Sequence, residues 1–329
     1  MRRIAVLLAV ASIAAACSDG DGAADDPPDA VEASTTSTST STTTSSTTPA
    51  TTTTSAPPCG AGDLTEGVQT RTLTTANGDQ RDWLLYVPAG LDVQARPAAV
   101  FTFHGAGSSM DAQLAYSNFG PLADGSNALV VSPNGELDRS FYGSSRAWDA
   151  NLRKSDVDID FSNELVELIR DEYCVGSVYA AGMSAGGDMV AALACQDDSP
   201  FEAFGPVTYL YYDESDCGDA PARPIMYFHG TDDLVVPLAG NPTNDWADPP
   251  VPDVMQRWAD HNGCDPEPLE EAFTTEVTRI SWEECAAPVE WYLVRGGGHT
   301  WPGAIDIGGL GYTTQEIDAS ALLWDFFLG

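Results

Sequence analysis

The apolar positions change their rhythm along the chain, and each rhythm predicts an element. Thr70 to Thr75 and Arg81 to Val87 alternate loosely on either side of Asn77-Gly78, a pair suited to a tight turn, and predict an antiparallel hairpin. Ala98 to His104 and Ala128 to Ser132 are short apolar runs that stop at Gly105 and at Pro133-Asn134-Gly135, as buried parallel strands do. From Phe161 to Tyr173, the residues Phe161, Leu165, Leu168 and Ile169 recur at helical spacing. The two rhythms then alternate: strand Ser177 to Ala181, helix Ala185 to Cys195, strands Phe204 to Tyr209 and Pro224 to Phe228, helix Pro252 to Asn262, strand Val289 to Val294, and helix Thr314 to Phe327. This succession implies an α/β fold with a mostly parallel, doubly wound sheet and helices on both faces.

The start of the chain obeys neither rhythm. Arg2 and Arg3 precede an apolar run, Ile4 to Ala16, that ends in small residues, which reads as a signal peptide over residues 1–17 and is too short for a membrane span. Ala16-Cys17 resembles a lipobox, in which Cys17 would carry a lipid, although Ala14 stands where that pattern usually has Leu. Ala14-x-Ala16 also suits an ordinary signal peptidase. Both readings export the protein, and the polar linker that follows favours the anchored form, a cell-surface lipoprotein, over free secretion. Residues 18–58, acidic and then almost wholly Ser, Thr, Pro and Ala, bury too little to order themselves and read as a disordered stalk. Residues 59–329 remain as one folded domain.

Charge and cysteines narrow the setting. A formal net charge of −35 excludes nucleic acid as an expected partner, and any membrane contact would run through Cys17 alone. A monomer is expected. Setting Cys17 aside, six cysteines in an exported chain argue for disulfides. Proximity suggests Cys195–Cys217 and Cys264–Cys285, leaving Cys59–Cys174, although other connectivities stay open. No two cysteines stand as close in sequence as structural zinc sites need, and neither a metal nor another cofactor is expected. Asp156-x-Asp158-x-Asp160 has the opening of a calcium loop but carries Phe161 where such a loop needs Gly, so its acids are read as favouring a helix N-terminus.

Chemistry concentrates in three places. Gly182-Met183-Ser184-Ala185-Gly186 is a G-x-S-x-G pentapeptide between a predicted strand and a predicted helix, which would leave the Ser184 hydroxyl exposed on a sharp turn. A serine needs a base, and the chain has four histidines. His104 and His229 end buried strands and read as packing or hydrogen-bonding residues, and His261 reads as solvated. His299 follows the last strand in a glycine-rich loop and is the candidate base. The orienting acid belongs at the end of the strand between them, at Asp232 or Asp233, with Asp233 favoured. Backbone N–H groups of Ala185 and of Ala106, in His104-Gly105-Ala106-Gly107, would form the oxyanion hole, with Gly105 as the alternative to Ala106.

These segments, with His229-Gly230-Thr231-x-Asp233-x-Val235-Val236-Pro237, Asn262-Gly263-Cys264 and Gly297-Gly298-His299-Thr300-Trp301-Pro302-Gly303, resemble the polyhydroxybutyrate depolymerase and feruloyl esterase family of extracellular α/β-hydrolases. The resemblance spans nearly all of residues 59–329. It implies Ser184, Asp233 and His299 as the triad of a serine carboxylester hydrolase, with Trp148 and Trp301 near its pocket. The family often has Asn where this chain has Ala185 and Cys where it has Ala106, which puts the substrate in doubt. Hydroxyalkanoate esters are expected first, feruloyl or acetyl esters of plant polysaccharide second. A surface lipoprotein with an inactive hydrolase fold is the rival of another class.

Overall fold

The structure, a computed structural model, describes residues 60, 62–138, 145–149, 156–241 and 249–329. The leader, Cys17, the linker and Cys59 lie outside the described residues. In chain order the elements are β1 (Gly67–Thr74), β2 (Gln80–Val87), β3 (Ala98–Phe103), α1 (Met110–Ser117), α2 (Gly120–Asp124), β4 (Ala128–Pro133), β5 (Glu136–Asp138), β6 (Ser145–Ala147), α3 (Val157–Tyr173), β7 (Val178–Met183), α4 (Ala185–Ala194), β8 (Ala203–Val207), α5 (Glu214–Cys217), β9 (Ile225–Gly230), α6 (Val251–His261), β10 (Leu269–Ala272), β11 (Val277–Ser281), β12 (Val289–Val294) and α7 (Ala319–Leu328).

Among the described residues, ten strands form one sheet in the order β1-β2-β4-β3-β7-β8-β9-β12-β11-β10, and β5 pairs with β6 apart from it. The centre, β4 to β12, is parallel, and an antiparallel hairpin closes each edge. Side chains alternate across the buried strands, as the two-residue period of a strand requires. Phe101 and Phe103 of β3 face one core with Phe161, Leu165 and Ile169 of α3, Met189 and Leu193 of α4, and Met255 and Trp258 of α6. Val100 faces the other with Tyr116 of α1, Phe119 and Ala123 beside β4, and Leu323, Trp324 and Phe327 of α7. The α/β sheet with helices on both faces is therefore present, with the parallel strands mostly buried.

Four differences from the sequence reading have physical causes. Helices α1 and α2 lack a clean apolar stripe, and α1 is set by its ends: Ser109 Oγ accepts from Ala112 N at 3.3 Å, and Asn118 closes it in a left-handed conformation. Strand β10 is exposed along its whole length and exists through pairing with β11 rather than through burial. The last helix begins at Ala319 instead of Thr314. Asp318 caps it, while the Thr314 hydroxyl donates to Glu276 Oε2 at 2.6 Å and holds the preceding segment as a loop. Helix α3 begins at Val157, ahead of Phe161, so Asp158 and Asp160 occupy its first turn. Asp158 is no solvated terminal acid, however. It is 2% exposed and paired at 2.5 Å with Arg81, itself 3% exposed.

Disulfides join Cys195 to Cys217 and Cys264 to Cys285, tying α4 to α5 and the end of α6 to the β11–β12 turn. Cys174 is also disulfide-bonded. The expected Cys59–Cys174 bond involves a cysteine outside the described residues. These bonds fit an oxidising, extracellular setting. Among the described residues no helix is long and apolar enough to cross a membrane.

The Arg81–Asp158 pair carries a testable consequence. Arg81 also donates to Asn134 O, and Asp158 Oδ2 accepts from Asp149 N, so the pair fastens β2, the β4 end and the α3 start together. Asp158→Ala leaves the buried guanidinium with only the exposed Glu136 carboxylate, 3.9 Å away, and is expected to lower stability by about 3 kcal/mol. The double change Arg81→Met with Asp158→Leu should recover most of that loss in urea unfolding. Equal losses in the two variants would show that packing, not charge pairing, holds this junction.

Candidate active site

Ser184 sits between β7 and α4 at φ 56°, ψ −121°, a left-handed conformation that costs a non-glycine residue about 1–3 kcal/mol. The glycines around it permit the turn. A Cβ on Gly182 would strike Gly186 O, and one on Gly186 would strike Phe103 O of β3, so the turn closes only where side chains are missing. The Ser184 N–H donates to Val207 O at 2.9 Å and to Thr208 Oγ1 at 3.2 Å, locking the turn to the end of β8.

Asp233 follows β9 with its side chain fully buried, and its oxygens divide their work. Oδ1 accepts from Val235 N at 2.9 Å and Val236 N at 2.8 Å, while Oδ2 accepts from His299 Nδ1 at 2.7 Å. Asp232 is exposed and meets the Thr231 hydroxyl. His299 is held by its own N–H, which donates to Leu310 O at 2.7 Å. With Nδ1–H committed to Asp233, Nε2 is left to accept a proton.

Ser184 and His299 line one cavity of about 170 Å³ together with Gly105, Ala106, Ser108, Ala112, Gln113, Tyr116, Met183, Ile307 and Leu310. Among the described residues no hydrogen bond joins the Ser184 hydroxyl to His299, a separation that commonly closes when substrate binds. Gly105 packs against Ser184, where an added Cβ would lie 3.4 Å from the Ser184 Cβ. Ala185, whose N–H was assigned beside that of Ala106, opens α4 directly after Ser184.

Two assignments are corrected. Trp148 and Trp301 do not line the cavity, because both indoles are packed inside, each 1% exposed. Trp148 Nε1 donates to His104 O at 2.7 Å and its ring lies 4.8 Å from the His104 ring, so it braces the His104–Gly107 loop from behind. Trp301 Nε1 donates to Ser320 Oγ at 2.9 Å and its N–H to Tyr116 Oη at 3.3 Å, tying the His299 loop to α7 and α1. His261 is not solvated either: it is half-buried, 3.3 Å from the Tyr212 hydroxyl and packed on Trp258. Sequence reading missed the wall formed by Gln113, Tyr116, Ile307 and Leu310. Ser109 ahead of Asp111 was a legible helix-start signal for α1, but nothing in the pattern said which face of that helix would be buried.

The other buried histidines behave as structural members. Gly135 N–H donates to His104 Nε2 at 2.9 Å, so Nδ1–H donates to Gly105 O at 2.8 Å. His229 donates from Nε2 to Val236 O at 3.1 Å and accepts the Tyr227 hydroxyl at Nδ1, 2.6 Å away. Burial pushes both down to about 4 from the usual 6.5. Among the described residues no cluster of His, Cys, Asp or Glu could hold a metal.

The sheet order, the strained serine after a central strand and the acid and histidine on later loops define an α/β-hydrolase. A solved acetyl xylan esterase from Aspergillus awamori shares the fold at a TM-score of 0.54, with 18% identity over 79% of this chain and 99% of its own. No family model matches the chain. In sequence, feruloyl esterase C of Emericella nidulans is 28% identical over 284 residues, 83% of this chain and 91% of that protein. Feruloyl esterases 25–28% identical to the chain over about four fifths of its length thus support the esterase family that its motifs resemble.

The histidines set a pH dependence. Between pH 6.5 and about 4 the unfolded chain binds protons at positions 104 and 229 that the folded protein excludes, so stability rises with pH in that window. The contribution is complete above pH 6.5 and is lost as pH falls towards 4. Tm at constant ionic strength is expected to drop between pH 7 and pH 5, with a shallower drop in His229→Gln. A flat Tm over that range would mean that both rings charge without cost.

Proposed function

We propose that this protein is an exported serine carboxylester hydrolase working through an acyl-enzyme. The observation that carries the reading is the buried His299 Nδ1–Asp233 Oδ2 bond at 2.7 Å on the rim of the cavity that Ser184 enters from its strained turn. Ser184 Oγ attacks the ester carbonyl, His299 Nε2 takes its proton and returns it to the leaving alcohol, and water then repeats the cycle on the acyl-enzyme. Asp233 holds the imidazole tautomer and stabilises the imidazolium. The backbone N–H groups of Ala185 and Ala106 receive the oxyanion, each contributing about 3–4 kcal/mol to the transition state.

The cavity, at about 170 Å³, suits one short or single-ring acyl group rather than a polymer strand. Hydroxyalkanoate oligomers and aromatic or acetyl esters of plant polysaccharide both present such a group, and the named activity of the Emericella relative supports the second. The two disulfides support export, and Cys17 would add a lipid anchor outside the described residues.

A serine-directed phosphonate is expected to label the wild type and not Ser184→Ala. Asp233→Asn, which disturbs the tautomer while keeping the shape, should lower kcat by about 10⁴-fold. Loss of less than tenfold in Asp233→Asn, or labelling of Ser184→Ala, would overturn these roles. Comparing kcat/KM for a soluble 3-hydroxybutyrate oligomer and for methyl ferulate decides between the two substrate classes.

A further inference from the structure

The wall of the cavity carries a buried carboxamide that the mechanism does not use. Gln113 projects from α1 and is 2% exposed, yet it lines the cavity among Ala112, Tyr116 and Leu310. Its Nε2 donates to the buried Thr102 Oγ1 at 2.9 Å, which fixes the plane of the carboxamide. Among the described residues no hydrogen bond reaches its Oε1, and the residue lines the cavity. A carbonyl oxygen that a bound ligand seals from water without giving it a donor costs about 1–3 kcal/mol, a cost avoided when the ligand supplies the proton.

Resting on the esterase reading above, we propose that Gln113 is a specificity-determining residue that selects acyl groups bearing a hydroxyl, accepting that hydroxyl's hydrogen at Oε1. Three features of the cavity fit this. Ala112, Met183, Ile307 and Leu310 give the cavity an apolar lining, and the Tyr116 hydroxyl is already engaged by Trp301 N, so an acyl chain or ring can fill the space while the carboxamide is read. The carboxamide cannot turn away, because Thr102 and the start of α1 hold it. Rejection also follows: an ester without the hydroxyl would seal Oε1 under its apolar body with no partner, and sites that read a hydroxyl in this way discriminate far more sharply than those that only measure size. The hydroxyl can belong to an aliphatic 3-hydroxyacyl chain or to a phenolic ring, since both present the same donor.

Two substrate pairs separate these sources: p-nitrophenyl 3-hydroxybutyrate with p-nitrophenyl butyrate, and methyl ferulate with methyl 3,4-dimethoxycinnamate, each rate corrected for uncatalysed hydrolysis. The wild type is expected to prefer the hydroxylated member of one pair by about tenfold or more in kcat/KM, and the pair that responds names the source. Gln113→Leu, which removes the acceptor together with the Nε2 bond to Thr102, should bring that ratio close to one by lowering kcat/KM more for the hydroxylated ester than for its partner. Gln113→Met serves if the leucine variant does not fold. No preference in either pair, or an equal fall for both members in the variants, overturns the proposal. Ser184-dependent hydrolysis of p-nitrophenyl acetate keeps the two claims apart: its absence sinks the esterase reading, and its presence without a hydroxyl preference sinks only the role of Gln113.

Discussion

The backbone of Ser184 is the constraint on which the rest of the structure turns. A serine at φ 56°, ψ −121° relaxes unless its neighbours over-determine it, and here they do so from both sides. Gly186 lies against the carbonyl of Phe103 on β3, Gly187 against that of Tyr209 after β8, and the Ser184 N–H is taken by Val207 and Thr208. The turn therefore exists only when β3, β7 and β8 stand side by side in register. The parallel centre of the sheet is what brings them there.

The loops at the ends of these strands are secured by groups that are neutral or fully satisfied. His104 and His229 each give one ring nitrogen to a donor and use the other to donate, so each has one tautomer and little tendency to charge. Asp233 meets three N–H donors through its two oxygens. Trp148 and Trp301 support the His104 and His299 loops from within the core. In a chain of net charge −35, the buried acids Asp158 and Asp233 are paired and the cavity remains mostly apolar.

That division explains the cavity's composition. The groups proposed for bond making lie on turns after β3, β7, β9 and β12, whereas the wall facing them comes from α1 and from the loop around Ile307 and Leu310. That loop is anchored at a distance, through Tyr312 and Thr314 to Glu276. The residues proposed for chemistry and for selectivity thus lie on different segments, which meet where the His299 N–H donates to Leu310 O.

The sequence by itself determined the strand–helix alternation, the buried parallel strands, the glycine-flanked Ser184 turn, and His299 and Asp233 as residues on loops after strands. All of these are local signals: a two-residue or 3.6-residue period, a glycine where the backbone must approach, a loop following a strand. Tertiary structure decided the rest. It turned Trp148 and Trp301 into internal braces, buried Asp158 against Arg81 and brought Gln113 and Tyr116 to the cavity wall. Each of these depends on contacts between residues far apart in the chain. A polar side chain on a short helix reads alike in sequence whether it faces water or a cavity, and only packing tells the two apart.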